Sequence, residues 1–184
     1  MSVTVVYETH ALTLDNEAGV ATGWLPGELS PAGRGLAAEL GRRRRDDGLA
    51  GVFSSDLRRA VETVEIAFAG SPLPRRLDPR LRECDYGELN GAPVARIDAE
   101  KMRRVDESFP GGESYRQVVG RMRSFLADLA AETDGARVLV VAHAANRFAL
   151  DHLVHGVALE ALVAAPFDWQ EGWEYVVDER VAAA

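Results

Sequence analysis

A three-layer α/β sandwich, with a mostly parallel central sheet flanked by helices, is the fold class this sequence predicts. Three observations carry it. Short β-branched and aromatic runs alternate with longer stretches of helical periodicity. The clearest runs are continuously apolar, as strands covered on both faces must be. Helix start and stop signals fall between them.

Residues 3–7 (VTVVY) have the composition of a buried strand. Residues 9–29, rich in Gly, Asp, Asn and Thr, form a long loop. Ser30-Pro31 then supplies an N-cap and a proline at the first helical position, opening a helix toward Arg45. Residues 51–54 (GVFS) are a second strand. Residues 56–68 place Leu57, Ala60, Val61, Val64 and Phe68 on one helical face, with Gly70 just past the end. Residues 114–132 repeat Val118, Met122, Phe125, Leu126 and Leu129 at helical spacing. Residues 137–142 (RVLVVA) are a buried strand, 146–154 a helix and 175–177 a last edge strand. The three alanines 182–184 are the single low-complexity stretch.

The chain has 184 residues, which fits one domain spanning 1–184. With 47% hydrophobic and 27% charged residues it can build a core without staples, so disorder is excluded. Lys and Arg number 21 against 29 Asp and Glu, a formal charge of −8 that argues against nucleic acid as partner. A few arginines can still form a local anion pocket. Cys84 is the single cysteine, so neither a disulfide framework nor a Cys-rich zinc site is expected. No targeting signal and no run of roughly 18 apolar residues is seen, so the expectation is a cytoplasmic protein with no membrane partner.

In open α/β sheets, ligands bind beyond the carboxyl ends of the strands. His10 follows the first strand and His143 follows the strand at 137–142, so the two imidazoles can face one another. Six blocks in order around them resemble the histidine phosphatase superfamily, also called phosphoglycerate mutase-like. Its opening Arg-His-Gly-Glu-Thr-x-x-Asn is similar to Thr9-His10-Ala11-Leu12-Thr13-Leu14-Asp15-Asn16. Thr22-Gly23-Trp24 and Leu29-Ser30-Pro31-Ala32-Gly33 match the next block, and the run from Ser54 to Thr63 matches Ser-Ser-x-Leu-x-Arg-Ala-x-x-Thr. Leu81-Arg82-Glu83 with Gly87 and Gly91, then Pro110-Gly111-Gly112-Glu113-Ser114, then the strand ending at His143, complete the series.

The resemblance implies a phosphoglycerate mutase-like fold and a metal-independent phosphomonoesterase that needs no cofactor. His10 would be the nucleophile, because a neutral imidazole is not repelled by a phosphate dianion as an oxyanion is. Arg59 would grip the phosphate and His143 would stabilise the transferring group. Glu83 would be the general acid and base. Asn16, Thr9, Thr22 and Gly23 would complete the phosphate and substrate contacts. The implied partner is a small phosphorylated substrate, and a homodimer is the base-rate expectation. The sequence offers no sizeable insertion to shield a phosphoenzyme from water, which favours a phosphatase over a mutase.

Each residue also has a plainer reading. Arg59 could pair with Glu62 or Glu65, Glu83 could be a loop acid, and Asn16 a turn former. Residues 42–45, four arginines, read as a solvated helix end ahead of Asp46-Asp47. The aromatic stretch 167–173 is expected to cover the core edge, and His152 and His155 to be structural or at the surface. The sequence also departs from the family pattern. Thr9 stands where the family has arginine, and Ala11 and Ala144-Ala145 stand where it has glycines. One lost charge-assisted hydrogen bond, about 1.5–3 kcal/mol, would slow the chemical step roughly tenfold to a few hundredfold. Arg58, Arg82 and Arg147 are candidates to supply the missing charge. Glu8, on the His10 face of an extended strand, would orient the imidazole, pair with Arg58 or Arg82, or meet a cationic part of the substrate. Two readings stay open: a covalent phosphatase, and a catalytically weakened member that binds a phosphorylated or zwitterionic ligand, or a protein partner, without turnover.

Overall fold

The computed structural model describes residues 2–178 and residue 181; the alanines 182–184 lie outside the described residues. Five strands form one sheet: β1 (Ser2–Thr9), β3 (Gly51–Ser54), β4 (Arg75–Leu77), β6 (Arg137–Ala142) and β7 (Trp173–Asp178). Their spatial order is β4-β3-β6-β1-β7. All neighbours are parallel except β7, which runs antiparallel to β1 as an edge strand. Two further strands, β2 (Val20–Ala21) and β5 (Ala92–Pro93), pair only with each other.

The period of two along a strand divides the core into its layers. On β1, Val3, Val5 and Tyr7 pack to one side with Val138, Val140 and Ala142 of β6. Val6, Leu139 and Val141 pack to the other. The first side is covered by α5 (Tyr115–Glu132) and α6 (Ala144–His155), the second by α2 (Pro31–Arg44) and α3 (Arg58–Ala67). Five of the six β6 residues are buried, the signature of a central strand with helices on both faces.

The helices begin where their capping chemistry is found. The Ser30 hydroxyl accepts from the Gly33 amide ahead of α2, with Pro31 in the first turn. Ser114 and Gln117 close a capping box at the head of α5. α6 ends on Gly156 at φ 69°, a left-handed cap. Three elements carried too little periodicity to be read from sequence: the three-residue edge strand β4, α4 (Val94–Glu100) and α7 (Leu159–Ala164). Just before β2, α1 (Leu14–Glu17) breaks the long loop expected over 9–29. No helix among the described residues is long and apolar enough to cross a membrane.

Candidate active site

β1 and β6 are adjacent and in register from Thr4↔Arg137 to Thr9↔Ala142, so their carboxyl ends deliver His10 and His143 side by side. The His10 amide donates to the Ala142 carbonyl at 2.9 Å, continuing the ladder one step. The two imidazoles lie 5.1 Å apart, centroid to centroid, tilted by 55°. His10 Nδ1 is 2.7 Å from the Ala11 carbonyl, which can only accept. Nδ1 therefore carries the proton, and Nε2 presents a lone pair. Burial, with Arg59 close by, pushes the His10 pKa down to about 3, so the ring is neutral at ordinary pH. His143 is fully buried and is held neutral by burial and by the positive charge of Arg59. Neither of its ring nitrogens has a protein hydrogen-bond partner. Its carbonyl is held instead, by the buried Tyr7 hydroxyl.

Arg59, near the start of α3, is buried and reaches both His10 and the loop before α2. Its Nε donates to His10 Nε2 at 3.3 Å, Nη2 to the Gly23 carbonyl at 2.8 Å, and Nη1 to the Leu25 carbonyl at 3.1 Å. Pairing with Glu62 or Glu65 is not what happens: Glu62 accepts from Arg34. Glu83 is buried, and burial raises its pKa above the usual carboxylate value. Its Oε1 accepts from the amides of Cys84 (2.8 Å) and Ala145 (3.2 Å). The second of these contacts couples the acid to the amino end of α6, whose dipole favours negative charge there. Ala144 and Ala145 occupy the first turn of that helix, where alanine is at ease.

Two clefts meet at this point. One, of about 410 Å³, is lined by Glu8, Thr9, His10, Leu36, Leu40 and Trp169 among others. The other, of about 560 Å³, includes Thr22, Gly23, Arg59, Tyr86 and Lys101. His10, Asn16, Glu83, Ala144 and Phe167 line both. All eight residues expected from the sequence fall on this double cleft or against it, with His143 enclosed behind His10. Asn16 serves as a turn former too: its Oδ1 accepts from the Thr13 amide while Thr13 Oγ1 accepts from its own. Thr22 donates to Asp15.

The remaining expectations are corrected by geometry. Glu8 neither orients His10 nor pairs with Arg58 or Arg82. Alternation turns it toward α2, where it accepts from Arg44 Nε at 2.9 Å and Arg43 Nη2 at 3.4 Å while itself 1% exposed. Arg58 pairs with Glu28, Arg82 with Asp56, and Arg147 with Asp151, and none of the three lines either cleft. In the run 42–45, Arg42 is solvated as expected and pairs with Glu39, but Arg43 and Arg44 hold Glu8 and Arg45 donates to the Ala67 carbonyl at the end of α3. In the aromatic stretch, Trp173 covers the core edge against Tyr7, but Phe167 and Trp169 line the smaller cleft. His152 and His155 lie away from the site, His152 bonded to the Val157 carbonyl and His155 against Tyr175.

Several supporting residues went unassigned in the sequence reading. Thr63, the last residue of the Ser-Ser block, accepts from the Ala11 amide at 3.0 Å and so steadies the loop that carries His10. Trp24 Nε1 and Arg121 Nη2 both donate to the Glu83 carbonyl, at 2.7 and 2.9 Å. Arg121 also pairs with Glu113, which ties the Pro-Gly-Gly-Glu block to the acid. Block membership was the available signal for Thr63, Trp24 and Glu113; Arg121 carried none. Among the described residues no group of three or more His, Cys, Asp or Glu side chains is placed to hold a metal ion.

Comparison with known proteins identifies the family and the fold. The family model of the histidine phosphatase superfamily (branch 1) matches residues 9–169. A 2,3-bisphosphoglycerate-dependent phosphoglycerate mutase from Beijerinckia indica is 32% identical over 164 residues, 80% of this chain and 78% of that one. The chain spans 66% of a probable phosphoglycerate mutase GpmB from Erwinia tasmaniensis and 57% of one from Salmonella paratyphi B. Among solved structures, YhfR from Bacillus stearothermophilus superposes with a TM-score of 0.82 at 25% identity, covering 95% of this chain and 90% of that one. A mycobacterial glucosyl-3-phosphoglycerate phosphatase gives a TM-score of 0.77 at 28% identity, with 89% and 84% covered.

Proposed function

The chain belongs to the histidine phosphatase superfamily, and on that premise we propose that it hydrolyses a small phosphomonoester through a phosphohistidine on His10. The observation that carries this reading is the tautomer of His10. With Nδ1–H engaged by the Ala11 carbonyl, the Nε2 lone pair is directed toward Arg59, the residue expected to hold phosphate.

In the first step Nε2 attacks phosphorus as the P–O bond to the leaving group breaks, and Glu83 delivers its proton to the departing oxygen. Burial holds that proton on Glu83 to higher pH than an exposed carboxyl would. Water then attacks the phosphohistidine, Glu83 takes back a proton, and inorganic phosphate leaves. Arg59 and His143, with the amino end of α6, offset the charge on the transferring group. His10 is reached from two clefts, which supports water as the acceptor and a phosphatase over a mutase. Nothing in this scheme requires a metal. The single buried thiol, Cys84, fits a cytoplasmic setting.

A second reading, ligand binding without turnover, is favoured by Arg59. Two of its nitrogens already donate to backbone carbonyls, and Thr9 brings no charge to the site. Hydrolysis of p-nitrophenyl phosphate and a panel of phosphomonoesters, in chelator, separates the two. Activity that persists in chelator, disappears in His10→Ala and leaves an acid-labile phosphoenzyme during turnover is the expected result. Folded protein that binds phosphate yet releases none from any ester would overturn the proposal in favour of binding.

A further inference from the structure

The smaller cleft differs in chemistry from its neighbour. Leu36 and Leu40, one turn apart on α2, form one wall, and Phe167 and Trp169 form the other. Leu36 is 40% exposed, Phe167 38% and Trp169 52%, so three large apolar side chains stand in solvent within reach of one nucleophile. The charged residues lining this cleft apart from Glu83 are Glu8 and Arg43, which pair with each other, Glu8 also with Arg44 and Arg43 also with Glu171. The Glu8 carboxylate is taken up by these two arginines, while Arg43 Nε is left without a hydrogen-bond partner.

The aromatic wall is also fixed in place. Arg44 Nη2 donates to the Glu171 carbonyl at 3.0 Å. Gly172, at φ 85°, lies so close that a Cβ there would stand 2.3 Å from the Arg44 guanidinium and 2.9 Å from Glu8. The segment bearing Trp169 is thus anchored to the buried Glu8–Arg44 pair beneath it, and the cleft is pre-formed. A pre-formed apolar cleft costs little ordering entropy when it fills.

We propose that this cleft receives the organic part of the substrate, and that the substrate class is phosphate esters of apolar alcohols, alkyl or aryl. The proposal rests on the phosphatase reading. Glu83 lines both clefts, so an ester oxygen beside it can carry its phosphoryl group toward Arg59 and its apolar group toward Leu36 and Trp169. Hydrolysis follows the two steps above, releasing the alcohol with the proton from Glu83 and then phosphate from water.

The test pairs binding with turnover. Alkylphosphonates of two, four, six and eight carbons are titrated calorimetrically into wild type, Leu36→Ser and Trp169→Ala. The matching alkyl phosphates are assayed for hydrolysis. Leu77→Ser, at a leucine more exposed than Leu36 and on the far edge strand β4, is the control. Wild type and control should tighten about threefold to fourfold per buried methylene until the cleft is full, with an increasingly negative heat capacity. Leu36→Ser and Trp169→Ala should lose at least half of that chain-length dependence. Affinity that is flat with chain length, or a dependence that survives both substitutions, would overturn the assignment. Hydrolysis of short polar esters alongside a flat dependence would remove this inference and leave the phosphatase reading standing. Length-dependent binding with no hydrolysis would overturn the phosphatase reading, and the substrate class with it, and leave the cleft as an apolar binding site.

Discussion

In the proposed mechanism, His10 is prepared for nucleophilic attack by two neighbours acting in different ways. The Ala11 carbonyl selects its tautomer, while burial and Arg59 keep it unprotonated. Because its pKa is held near 3, titration of His10 places no acid limb on kcat/KM in the free enzyme above about pH 4. The alkaline limb belongs to Glu83. Its pKa is raised by burial, and the first step needs its protonated form, so kcat/KM should fall as pH rises through that value. Glu83→Gln should flatten this limb and lower kcat by roughly 10²–10⁴ for substrates with poor leaving groups, measured as pH–rate profiles. A p-nitrophenyl ester, whose leaving group needs no proton, should lose less in the first step. Arg59→Lys keeps the charge but loses the fork that spans His10, Gly23 and Leu25. We expect kcat/KM to drop by about 10²–10³, read by steady-state kinetics.

At the scale of elements, the loop carrying His10 is held by the start of α2 and the middle of α3. The Ser30 amide donates to the Leu12 carbonyl at 3.0 Å, and Thr63 of α3 receives the Ala11 amide. Gly33 is glycine because a Cβ there would stand 1.8 Å from the Leu12 carbonyl oxygen. Gly33→Ala should therefore push the loop off α2, costing about 1–3 kcal/mol by denaturant unfolding and lowering kcat at the same time. The junction of β1 with α2 makes a separate prediction. Arg44→Met leaves the buried Glu8 carboxylate with only the longer contact to Arg43, and should cost about 3 kcal/mol. Adding Glu8→Gln should recover a large part of that loss, because a neutral amide is far cheaper to bury than a charge. The double-mutant cycle measures the difference.

Over the whole molecule, burying neutral histidines makes stability depend on pH with a definite sign. The unfolded His143 takes up a proton below about pH 6.5 while the folded one does not. Stability is therefore intact above that pH and is lost as pH falls toward the depressed folded value, by at most about 1.4 kcal/mol per unit. Glu83, with its raised folded pKa, works in the opposite direction, since its contribution is lost as pH rises. Urea unfolding at pH 7, 6 and 5 should show a shallower decline in His143→Gln than in wild type. The layers, the parallel order of the main strands and the pairing of His10 with His143 were legible in the chain because each depends on local pattern: continuous apolar runs for covered strands, caps for helix starts, and one residue past a strand end for a ligand-facing side chain. Arg59 and Glu83 were legible through their blocks. What local pattern could not convey was which cation meets which anion, because charged side chains several atoms long choose partners only once the backbone is in place. Glu8 thus turned to Arg43 and Arg44 rather than Arg58 or Arg82, and the tail aromatics came round to wall a cleft. Sequence by itself determined the fold and pointed to the residues that gather at the double cleft. Tertiary structure decided the partners of Glu8 and the apolar character of the smaller cleft, since both depend on approaches between segments more than thirty residues apart.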